Sequence, residues 1–119
     1  MTPYEDVHIF EDFGMIAGAY KRLSFECRYP NGTPIPLGSV ANFGCVFSLY
    51  GNEGTSLFNI EGDIDVASDG DVMLIDILSS YTSSLGTCKL IYQPYIIDTD
   101  KTYIPGQGFV TIFASTPIL

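Results

Sequence analysis

The sequence predicts an all-β chain folded as an antiparallel sandwich of about seven strands. Three observations carry this. Apolar residues recur at every second position over several short runs, the side-chain period of a half-buried strand. Gly, Pro, Asn and Asp clusters punctuate those runs every 8–15 residues or so. No stretch shows a sustained helical period. At 119 residues and 13.0 kDa the chain has the size of one domain. With 46% hydrophobic and 16% charged residues it can close a core without metal or disulfide help.

Positions 1–16 are the least patterned, with Val7, Ile9, Phe10, Phe13, Met15 and Ile16 scattered among acids. They are read as an N-terminal arm or edge strand, with Phe10 and Phe13 as candidate interface residues. Residues 17–119 are read as the sandwich domain. Its seed is Tyr20–Tyr50. Leu23, Phe25, Cys27 and Tyr29 alternate with Arg22, Ser24, Glu26 and Arg28, which makes a strand with one wet face. Pro30 cannot donate to a ladder and Asn31-Gly32 favours positive φ, so the strand stops there. After a proline-containing corner, Phe43, Cys45, Phe47 and Leu49 alternate again.

Gly51-Asn52-Glu53-Gly54 reads as a turn, Leu57–Ile60 and Ile64–Val66 as short strands, and Ser68-Asp69-Gly70-Asp71 as a hairpin turn. Val72–Leu78 is nearly all apolar and bounded by turn signals, hence a buried strand. Ser79–Gly86 is a polar connection with room for one helical turn. In Thr87–Ile97, Cys88, Leu90 and Tyr92 oppose Lys89, Ile91 and Gln93, while Pro94 marks a bulge or an edge position. Gly108–Ala114 closes the set. This spacing fits an immunoglobulin-like sandwich; a small closed β-barrel is the alternative.

Chemistry is sparse. The net charge of −9, from 14 acidic and 5 basic residues, opposes nucleic-acid binding and docking on anionic lipid. Lys21-Arg22 is the one basic pair. No run approaches a membrane span, and the acidic N-terminus has no apolar signal core, so synthesis in the cytoplasm is expected. The only histidine is His8, which leaves nucleophilic catalysis without a natural base in the patterned region. The chain is expected to be non-enzymatic and to need no cofactor. Asp63, Asp65, Asp69 and Asp71 form the densest acidic patch, but Ala67 breaks the calcium-loop spacing and solvent-facing turns explain it. Cys27 and Cys88 fall where a sandwich could bridge its sheets. The odd thiol count and the absent tryptophan favour Cys27, Cys45 and Cys88 as buried free thiols. Tyr81, Tyr92, Tyr95 and Tyr103 group near one end of the sequence and are candidates for an exposed aromatic patch.

The order YKRLSFECRYPNGTPIPLGSVANFGCVFSLYG, DGDVMLIDI, SSLGTCKLIYQPYI and KTYIPGQGFVTI resembles small immunoglobulin-like domains of tailed-bacteriophage virions, notably the N-terminal domain of upper-baseplate proteins. The matching positions are Asn31-Gly32-Thr33-Pro34, Leu37, Val46-Phe47, Gly70, Leu85-Gly86, Leu90, Tyr92 and Gly108-Phe109-Val110, within residues 17–114. Cys88 stands where the family has an aromatic, and Asn31 where it has Asp. The resemblance implies a virion structural protein that attaches as a capsid auxiliary (decoration) protein or a baseplate or tail adaptor. Its expected partners are other virion proteins, with a homo-oligomer as a further option, and its expected location is the virion, after synthesis in the host cytoplasm. A carbohydrate-binding or adhesin-like module using Tyr92, Tyr95 and Tyr103 is the alternative.

Overall fold

The computed structural model describes residues 8–29, 31–67 and 70–115. Among these residues ten strands form, in chain order: β1 His8–Ile9, β2 Phe13–Ile16, β3 Lys21–Glu26, β4 Asn42–Leu49, β5 Asn52–Glu61, β6 Asp63–Ala67, β7 Gly70–Ile77, β8 Cys88–Asp98, β9 Lys101–Tyr103 and β10 Gly106–Phe113. A 3₁₀ turn at Leu37–Ser39 and one helical turn, α1 Ser79–Thr82, accompany them among the described residues.

The seven longest strands, β3–β8 and β10, are those the sequence marks; β1 and β2 lie in the segment read as an arm or edge strand, and β9 is an addition to the expected set. One layer runs β10-β8-β4-β5, with β1 and β2 on β10 and β9 on β8; the other runs β3-β7-β6. The chain changes layer at β2–β3, β3–β4, β5–β6 and β7–β8, the crossing pattern of an immunoglobulin-like sandwich. The two sheets stay separate, so the fold is a sandwich and not a closed barrel. It is also not wholly antiparallel: β1 and β2 both run parallel to β10.

Each layer buries its alternate residues against the other. Leu23 and Phe25 of β3 and Met73, Ile75 and Ile77 of β7 meet Cys45 and Phe47 of β4, Leu90, Tyr92 and Ile96 of β8, and Val110 and Ile112 of β10. Burying each such side chain is worth about 1.5–3 kcal/mol, which drives the closure. The turn after β3 forms as its residues dictate. Gly32 takes φ +89, Asn31 Oδ1 accepts the Thr33 N–H at 3.0 Å, and the Tyr29 N–H donates to the Thr33 carbonyl at 2.9 Å. Ile35 and Leu37 then plug one end of the core.

One local reading is corrected and one is made specific. The turn after β4 is tighter than Gly51–Gly54: Gly51 alone takes φ +88, and β5 already begins at Asn52. Pro94 lies within β8, is buried, and pairs with Cys45 of β4 on one side, while its other side has the edge position its sequence suggests. It is tolerated because β10 pairs with Cys88–Tyr92 and β9 with Ile96–Asp98, leaving positions 93–95 without a ladder on that side.

Candidate interaction surfaces

The N-terminal segment is laid along one end of the larger sheet by specific contacts. The Phe10 N–H donates to the Gln107 carbonyl at 2.7 Å, and the Phe109 N–H donates to Asp12 Oδ1 at 3.1 Å. The Tyr92 hydroxyl donates to the Glu11 carbonyl at 2.6 Å. Phe10 stacks at a tilt on Phe25, with centroids 5.0 Å apart, and Phe13 on Tyr92 at 5.5 Å. Phe10 and Phe13 therefore contact this chain's own core, each half-buried.

Between that segment and β3 a cleft of about 440 Å³ remains, lined by Phe10, Glu11, Phe13, the run Lys21–Phe25, and Tyr92. Its floor is aromatic and its rim holds the basic pair. Lys21 Nζ sits 5.2 Å from the Phe13 ring centroid. Arg22 grips Asp76 of β7 with two bonds, Nε–Oδ1 at 2.7 Å and Nη2–Oδ2 at 3.1 Å, and the Tyr20 hydroxyl donates to the same carboxylate at 2.7 Å. The Arg22 and Tyr20 hydrogen bonds hold the Asp76 carboxyl below its usual range.

The second surface is the outer face of the larger sheet. Register places Ile16 beside Phe113, Phe109 beside Ile91, and Val46 beside Gln93. Ile16, Phe113 and Tyr50 are each half or more exposed, at 57%, 50% and 57%. Along β2, β4, β8 and β10 the outward positions carry one charge, Lys89. Its ammonium lies 4.7 Å from the Tyr50 centroid and 4.4 Å from that of Phe109, capping an edge-on pair of rings.

The tyrosines that group in sequence do not form one patch. Tyr92 is 2% exposed and packs on Phe13, Phe25 and Phe47, so it belongs to the core and not to an exposed surface. It falls on the inward phase of β8, while Tyr95, three residues on, falls on the outward phase. The Tyr95 hydroxyl donates to Asn59 Oδ1 at 3.0 Å on the outer face, over Gly44. Tyr103 meets Tyr29 edge-on at 5.1 Å, and Tyr81 stacks on Phe58 at 5.2 Å.

Cys27, Cys45 and Cys88 are free thiols. Burial pushes the Cys27 thiol up to about 12, raises Cys45 further, and raises Cys88 as well, so none is activated as a thiolate. Asp63 and Asp65 are exposed on β6; Asp69 and the side chains of His8 and Asp71 lie outside the described residues. Among the described residues no three His, Cys, Asp or Glu side chains gather as a metal site, and no helix is long and apolar enough to cross a membrane. The cleft combines Phe10, Glu11 and Phe13 with residues 21–25; the sequence marks Phe10, Phe13 and the Lys21-Arg22 pair, but as separate features. No protein-family model and no curated protein matches the chain.

Proposed function

We propose that this chain is a non-enzymatic structural protein of a tailed-phage virion, attaching to the particle as a capsid auxiliary protein or as a baseplate or tail adaptor. The virion setting rests on the sequence resemblance. The mode of attachment rests on one observation: in a chain with 14 acidic and 5 basic residues, the outward positions of four adjoining strands carry a single charge. A face depleted of charge and enriched in aromatic residues is the composition of a protein interface core. The occupant is a protein surface of the particle, against which Ile16, Tyr50 and Phe113 become covered. The carbohydrate-binding reading loses Tyr92, which no glycan can reach in this fold.

The test is cosedimentation of purified chain with particles assembled without it, comparing wild type with Phe113→Glu. Phe113 is half exposed, so the substitution leaves the core intact. Wild type is expected in the pellet and the variant in the supernatant. Equal attachment of both would remove the outer face from the mechanism, and failure of wild type to pellet would end the virion reading.

A further inference from the structure

The cleft is lined by five consecutive residues of β3, Lys21–Phe25, so what borders it is the strand's edge, not one of its faces. β3 pairs with β7 on one side, and among the described residues nothing pairs with the other. That leaves a row of backbone donors and acceptors facing an open, aromatic-floored space. From this we infer that two copies of the chain pair antiparallel through β3, joining their three-stranded sheets into one six-stranded sheet about a twofold axis.

The register follows from the side chains. Directly opposed residues in an antiparallel pair share a face, so inward residues must oppose inward ones. Placing Ser24 against Ser24 on the axis sets outward Arg22 opposite Glu26 of the other copy, twice, and inward Leu23 opposite Phe25, twice. Centring the pair on Leu23 sets Arg22 opposite Ser24, centring it on Phe25 sets Glu26 opposite Ser24, and centring it on Arg22 or on Glu26 sets like charges against each other. One register therefore satisfies charge and apolar matching together. Charges near an open edge ordinarily discourage pairing. Here their order, cation first and anion last, favours a second copy running the other way. The other open edges carry no such cation-to-anion order: the charges of β6 are Asp63 and Asp65, those of β5 are acids, β9 has Lys101 alone and β2 has none.

The pairing uses the isolated chain alone, so its outcome is separate from that of attachment to a particle. Sedimentation equilibrium over a range of concentrations is expected to show a reversible dimer. Ser24→Lys, at an exposed position, sets like charges against each other on the axis and should weaken association roughly tenfold. In a Cys88→Ser background, Ser24→Cys should cross-link under mild oxidation, since opposed α-carbons lie roughly 4.5–5.5 Å apart. Glu26→Cys should not, because the two copies of that position lie roughly 13 Å apart along the strands. A monomer at every concentration, a dimer indifferent to Ser24→Lys, or linkage at position 26 instead of 24 would each overturn the inference.

Discussion

Tyr92 offers the sharpest test of how the sandwich is held together. Its ring lies 5.5 Å from Phe13, 5.9 Å from Phe25 and 6.1 Å from Phe47, and it is 2% exposed. Its hydroxyl reaches the Glu11 carbonyl at 2.6 Å. Two substitutions separate these roles. Tyr92→Phe keeps the ring and removes one hydrogen bond, whose net worth is about 0.5–1.5 kcal/mol. Because Glu11 is exposed, water can replace the lost donor, which places the loss near 1 kcal/mol. For a domain of this size that is a fall in Tm of about 3–5 °C. Tyr92→Ala also leaves a cavity among three aromatic rings, at about 3–5 kcal/mol, a large share of a typical total stability of about 5–15 kcal/mol. The assay is thermal and urea unfolding of the three proteins, with amide exchange followed over residues 10–16. Tyr92→Phe should raise exchange there selectively, since the hydroxyl tethers that segment to β8. A Tyr92→Ala variant within about 1 kcal/mol of wild type would refute the core placement. Unchanged exchange in Tyr92→Phe would refute the tether.

Two further outcomes follow from the packing and the charges. In Gly44→Ala the new methyl would collide with the Ile60 carbonyl oxygen and stand 2.8 Å from the Tyr95 hydroxyl, so β4 and β5 must part; urea unfolding should show a loss of about 1–3 kcal/mol, and a neutral result would mean the β4–β5 pairing is looser than it stands here. Asp76 has its pKa depressed in the folded state, so it contributes stability that is present above the ordinary carboxylate range, near 4, and is lost as pH falls through the lower folded value. Melting temperatures of wild type and Asp76→Asn should therefore converge between pH 5 and pH 2; parallel curves would show that the Arg22 pair adds nothing to stability.

Much of this architecture was legible along the chain because strands write their burial at a period of two. Leu23 and Phe25, Cys45 and Phe47, and Leu90 and Tyr92 each announce an inward face, and Asn31-Gly32 announces the turn that Gly32 then makes at φ +89. The parallel pairing of β1 and β2 with β10 was not legible. It joins residues nearly a hundred positions apart, and no local pattern records which edge is vacant when the N-terminus arrives. Tyr92 shows the same limit at one residue. Its alternation was visible, yet grouping it with Tyr95 and Tyr103 by nearness in sequence set residues of opposite phase on one surface.

The amino-acid order by itself determined that there would be two layers, where most strands begin and end, and which side of each strand shuns water, since these follow from side-chain alternation and turn chemistry acting over a few residues. Only the tertiary structure decided which edges stay open and which outward positions adjoin one another. Those are properties of strand order, settled by contacts between segments far apart in the chain, and they place the cleft beside β3 and the nearly uncharged face of the larger sheet.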